Sequence, residues 1–206
     1  MSERSEIPSD SLSPRELYKL LTSLVIPRPI AWVATISAEG ITNLAPHSFF
    51  SVVSSDPGII QFTSTGRKDS LRNIEATGEF VVNLAPVGLR DLINETATPF
   101  EYGVSEFEKC GIAAAESLSV RPPRVADSPA SIECTLDQII QVGNGYMSFG
   151  RVRHIAVNSD AVNERGHPVP TRLDPVARLG SNEWASLGEV FAIDRLTPDD
   201  WNQRHH

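Results

Sequence analysis

Cysteine is scarce in this chain. Cys110 and Cys134 are the only two in 206 residues, with no C-x-x-C and no metal-ligand spacing. That argues against a disulfide framework and a thiolate cluster and leaves two reduced thiols. Long apolar runs are missing too, and none approaches a membrane span. The first residues, MSERSEIPSDSLSP, are polar and acidic and hold no apolar signal core. These absences read as a soluble, cytoplasmic protein. Positive charge is in deficit: 18 Lys and Arg stand against 26 Asp and Glu, a net charge of −8. Nucleic acid and anionic membrane are therefore poor partners. The five histidines are scattered without H-E-x-x-H, so no metal site is expected. His47 and Ser48 are neighbours that would face opposite sides of a strand, which disfavours a nucleophile–base pair. Neither G-x-x-x-x-G-K-[ST] nor G-x-G-x-x-G occurs, and Gly143, Gly145 and Gly150 have the wrong spacing. A Walker loop and a Rossmann dinucleotide site are both disfavoured.

What is present suits one domain. Residues 1–12 read as a flexible arm, 13–196 as the domain and 197–206 as a tail. Ser13-Pro14-Arg15-Glu16 is a capping box, and Leu17, Leu20, Leu21 and Leu24 form one helical stripe. Strands are expected at Ile30 to Ile36, Ile59 to Phe62, Glu79 to Asn83, Ser131 to Val142 and Tyr146 to Val157. Asn43 to Val53 reads as one strand bent at Pro46. Helical spacing recurs at Pro86 to Thr96, and Ala97 to Gly111 looks irregular, with Phe100, Tyr102 and Phe107 along it. Strands in hairpins with a few short helices point to an antiparallel barrel with helical decoration.

Ile59 to Asn83 carries the most chemistry. A strand opens through Thr63, Ser64, Thr65, Gly66, Arg67 and Lys68 into a helix beginning at Asp69 and ending at Gly78. Free amides at a helix N-terminus, three hydroxyls and two cations are the parts of a phosphate site. The stretch alone also fits a solvated turn with Asp69 as N-cap. Ala45-Pro46-His47-Ser48-Phe49-Phe50 places aromatics beside small polar groups, which suits a planar heteroaromatic ligand. Taken alone, Phe49 and Phe50 fit a plain core better.

Four pieces in order resemble one family: PRPIAWVAT at Pro27 to Thr35, NLAPHSFF at Asn43 to Phe50, GRKDSLRNI at Gly66 to Ile74, and GEFVVNL at Gly78 to Leu84. The set resembles the flavin reductase-like proteins with the FMN-binding split barrel, over roughly Tyr18 to Gly188. The resemblance implies a mainly β fold, a Greek-key antiparallel split β-barrel with a few peripheral α-helices. It implies a homodimer with FMN near the subunit interface. Ala45, Pro46, His47, Ser48 and Phe49 would border the isoalloxazine ring. Thr63, Ser64, Thr65, Arg67, Lys68 and Ser70 would take the ribityl phosphate. The family often has Arg-Leu-Gly-Gly followed by a tyrosine. Here Arg178-Leu179-Gly180-Ser181 leads to Trp184, with Arg178 expected to reach the flavin site. NAD(P)H would stack transiently on the ring and pass a hydride to flavin N5, a step that obliges no protein acid or base. No catalytic residue is therefore expected. An FMN-binding electron carrier or flavin-storage protein would need the same pocket, and both readings stay open at this point.

Overall fold

The computed structural model describes residues 3–205, so the outer ends of the expected arm and tail, residues 1–2 and 206, lie outside it. α1 (Pro14–Leu24) begins as its capping box dictates: Ser13 Oγ accepts from the Glu16 amide, and Glu16 accepts from the Ser13 amide at 2.9 Å. The chain then runs through β1 (Arg28–Pro29), β2 (Ala31–Ile36), β3 (Thr42–His47), β4 (Phe50–Ser55) and β5 (Gly58–Thr65). α2 (Asp69–Thr77), β6 (Glu79–Leu84), α3 (Arg90–Glu95), α4 (Glu106–Lys109), β7 (Ala114–Ala115) and β8 (Arg124–Val125) follow. The last third holds β9 (Ala130–Val142), β10 (Gly145–Val157), α5 (Pro170–Leu173), β11 (Ala177–Arg178), β12 (Trp184–Ala185) and α6 (Pro198–His205).

Seven strands form one antiparallel sheet in the order β3-β2-β6-β9-β10-β5-β4. This corrects the expected split barrel. Closure needs a ladder between the two edges, and β3 pairs only with β2 while β4 pairs only with β5. The sheet is open, and with its helices the fold is mixed α/β rather than mainly β. The break between β3 and β4 also falls at Ser48 and Phe49, not at Pro46. Pro46 sits within β3 opposite Trp32, where an edge strand tolerates its missing N–H.

β2 shows how the core is divided. Its side chains alternate: Trp32 and Ala34 join Leu44, Ile93 and Phe107 on one face, while Ala31 and Val33 join Phe62, Ile74 and Phe80 on the other. Both faces are covered, so the strand reads as continuously apolar. Trp32 Nε1 donates to Thr96 Oγ1 at 2.9 Å, which fixes the chain after α3. Gly150 is dictated by packing: a Cβ there would lie 2.2 Å from a Phe80 ring carbon. Glu133 on β9 is fully buried and accepts from the Leu118 and Ser119 amides at 2.9 and 2.6 Å and from Arg124 Nε at 2.8 Å. It thereby pins the crossing between β7 and β8 to the sheet.

A smaller sheet, β1-β11-β12, sets Arg28 opposite Arg178. Arg28 is buried and spends its guanidinium on carbonyls, donating to Thr22 and Val25 of the α1 end and to Leu179 at 2.8 Å. It thus ties the end of α1 to the β11–β12 hairpin. α1 itself buries only Thr22, and the expected leucine stripe is turned outward at Leu21 and Leu24. No helix among the described residues is long and apolar enough to cross a membrane.

Candidate functional site

β5 carries the hydroxyls Thr63, Ser64 and Thr65 as strand residues and hands the chain to α2 through Gly66, Arg67 and Lys68. Lys68, with extended backbone, occupies the N-cap position, and no side chain caps the helix there. Asp69 is instead the first helical residue and pairs with Arg72 at 3.5 Å. The leading amides of α2 are therefore open to an external acceptor. A cavity of about 330 Å³ lies against them, lined by Ala45, Pro46, His47, Arg67, Lys68 and Ser70. These expected residues, drawn from β3 and from the turn, do converge.

The others do not join them. Ser48 and Phe49 line a second cavity of about 380 Å³, together with Arg28, Phe50 and Gln61. The Ser64 hydroxyl is buried and donates to the Gly66 carbonyl at 2.9 Å, so it shapes the turn. Thr63 Oγ1 donates to Gln61 at 3.3 Å, and Thr65 is exposed. The Arg178 guanidinium lies 4.8 Å from the Trp184 ring and donates to the Ser181 carbonyl at 2.7 Å. Arg67 does line the first cavity, but its guanidinium is already paired with Glu75 and lies 5.7 Å from the Tyr146 ring. Lys68 forms no ion pair among the described residues.

His47 is buried, 4.6 Å from the Phe62 ring, with Nε2 3.4 Å from Ser70 Oγ. Ser70 Oγ accepts from Asn43 Nδ2 at 3.2 Å, which leaves its proton for His47 Nε2. Burial, and then the Lys68 charge, push the imidazole down to about 4, against a hydrogen bond to the Thr63 backbone. The ring is therefore neutral at neutral pH. Its role is to aim the Ser70 hydroxyl, and the cavity's charge comes from elsewhere.

The sequence reading passed over part of the wall. Thr96 to Phe100 and Glu106 face the same cavity. Glu106 opens α4, is buried, and accepts from the Leu44 amide at 2.8 Å. Burial raises its carboxyl above the usual range, opposed by that hydrogen bond. The aromatic spacing from Phe100 to Phe107 was the one available signal, and Phe107 proves to be core.

The donor set has the chemistry of a phosphate site: unmatched helix amides and a lysine with no ion pair among the described residues, beside the apolar wall of Ala45 and Pro46. A third cavity, of about 390 Å³, is apolar, with Ile30, Val82, Ile132, Val176 and Leu187 in its walls, and shares Pro27, Pro29 and Phe50 with the second.

Comparison with known proteins gives a consistent result. A family model described as "Flavin reductase like domain" matches residues 23–171. The "Uncharacterized protein YwrF" of Bacillus subtilis is 36% identical over 198 residues, which cover 91% of this chain and 97% of that protein. A protein of Deinococcus radiodurans is 37% identical over 200 residues, covering 91% and 88%. Nitrilotriacetate monooxygenase component B from Bacillus cereus superposes with a TM-score of 0.90 at 32% identity, covering 94% of this chain and 100% of its own. The 2-nitrobenzoate 2-nitroreductase NbaA of Pseudomonas fluorescens superposes with a TM-score of 0.86 at 28% identity, covering 94% and 98%.

Proposed function

The chain belongs to the flavin reductase-like domain family, and we propose that it is a flavin oxidoreductase reduced by a nicotinamide nucleotide. That it is an FMN-binding flavoprotein enzyme follows from the family and its solved relatives. When bound, FMN supplies the redox chemistry, and the protein supplies placement and electrostatics. The observation that carries the residue assignment is the uncapped start of α2, opening with Lys68 and Ser70 into a cavity. Lys68 and the first α2 amides would hold the phosphate. Ser70, held by Asn43 and His47, would fix the start of α2 and leave a hydroxyl oxygen as an acceptor. Ala45 and Pro46 would give a flat apolar wall, and Ser48 and Phe49 would extend it toward the second cavity. No side chain is assigned to proton transfer, because His47 is buried and neutral, with Nε2 turned to Ser70.

Nicotinamide binding would be weak, since among the described residues no second glycine-rich turn leads into a helix N-terminus that could take another pyrophosphate. Stacking and Arg178 would hold the nucleotide. Arg28 is unsuited because its guanidinium is consumed by carbonyls. The test is anaerobic stopped-flow mixing of FMN-loaded protein with NADH or NADPH. Bleaching of the flavin band should saturate near roughly 1 mM nucleotide and weaken in Arg178→Ala. If neither nucleotide reduces the bound flavin faster than free FMN, while dithionite does, the protein is an electron carrier instead.

A homodimer fits the same reading. Leu21, Leu24, Val25 and Ile26 at the end of α1, and Val52 and Val53 on the edge strand β4, are exposed apolar groups. Apolar surface gathered on an edge and a helix marks an interface better than isolated exposed residues do. The expected aromatic loop is a weaker warrant, because Phe107 is buried in the chain's own core. Light scattering at micromolar concentration should give twice the chain mass. A monomer that still holds flavin would refute the dimer.

A further inference from the structure

Glu106 is the charge in the site cavity that phosphate binding leaves unexplained. It is 6% exposed, yet no cation lies within ion-pair distance of it among the described residues. Asp69, the other acid in the same wall, already has Arg72. A carboxylate buried without a counterion is costly unless other donors meet its oxygens. Here the donors are two backbone amides, that of Leu44 at 2.8 Å and its own. An ionised carboxyl offers about four acceptor positions, so acceptor capacity is left on the cavity side.

The sign of this group decides what it can face. A carboxylate repels a phosphate, so it does not belong to the Lys68 end of the ligand. It calls for a neutral donor close to that phosphate. In FMN the groups covalently next to the phosphate are the hydroxyls of the ribityl chain, whereas the ring N–H lies at the far end. We propose that Glu106 accepts hydrogen bonds from the ribityl hydroxyls, so that the cavity reads the polyol as well as the phosphate. This rests on the FMN reading above.

Three ligands separate the two contributions: FMN, riboflavin without the phosphate, and lumiflavin without phosphate or polyol. Glu106→Gln keeps an oxygen for the Leu44 amide and turns a donor toward the cavity. Dissociation constants come from quenching of flavin fluorescence, with no turnover measured, and the melting temperature of the flavin-free variant is taken alongside. Glu106→Gln should weaken FMN and riboflavin alike by about tenfold and leave lumiflavin unchanged. Unchanged binding of FMN and riboflavin to the variant would overturn the assignment. So would an equal loss for all three with a lowered melting temperature, which is the mark of a purely structural residue. Wild-type protein that binds none of the three would instead overturn the FMN reading, and this inference with it.

Discussion

Arg124→Met is expected to lower folding stability by about 3–5 kcal/mol, the usual cost of stripping the partner from a buried ion. Glu133 is fully buried, and the Arg124 side chain is 17% exposed. The substitution keeps the length of the side chain and removes its charge and both hydrogen bonds to Glu133. The Leu118 and Ser119 amides remain, so the carboxylate is left half satisfied. The pH dependence is a second signature. Burial pushes the Glu133 carboxyl up, but the Leu118, Arg124 and Ser119 hydrogen bonds outweigh it and hold the folded value below the usual range. Stability from this group is thus complete above its unfolded value, about 4.3, and is lost as pH falls through the folded value. Removing Arg124 raises the folded value and shrinks that acid loss. Urea midpoints at pH 7 and pH 4 should therefore lie closer together in the variant. An unchanged midpoint at pH 7 would mean that the two amides suffice.

Lys68→Ala is expected to weaken FMN binding by at least about tenfold, since a charged hydrogen bond contributes about 1.5–3 kcal/mol. The fold should be unaffected, because Lys68 sits in the turn before α2 without an ion pair of its own among the described residues. Riboflavin, which lacks the phosphate, should lose little. Equal losses for the two ligands would show that Lys68 does not face the phosphate. The change also removes the cation that helps depress His47. The imidazole should then titrate somewhat higher, which a histidine proton resonance followed against pH would report.

Local chemistry was legible in the sequence, and closure was not. The turn into α2 could be read because hydroxyls, a glycine and cations follow a strand, and Gly78 ends the helix as expected. The cap differs from the solvated-turn reading: Asp69 is a good N-cap type, but the helix starts one residue earlier than that assignment requires, and Lys68 takes the position. Whether β3 and β4 would zip together was invisible, because alternation tells which side chains face inward and says nothing about edge pairing. The leucine stripe of α1 was legible, but not the direction it faces, because amphipathic spacing is the same for a core face and for an interface face. Glu106 escaped notice because an acid in a polar stretch reads as solvated. Its burial comes from the Leu44 amide, far away in sequence. The pairing of Arg28 with Arg178 has no local signature at all.

That pairing has a consequence during synthesis. The ribosome must deliver β11 and Leu179 before Arg28 gains its carbonyl partner there and before β1 gains its neighbour. At elongation rates of about 5–20 residues per second this is a wait of about 10–30 s. Meanwhile Val82 and Ile132 stand without Val176 and Leu187, their opposite wall in the apolar cavity. The nascent chain therefore carries an uncovered greasy surface until Val176 and Leu187 have been made. A chain stalled before Val176 should be held by chaperones, and one released after Gly188 should leave them.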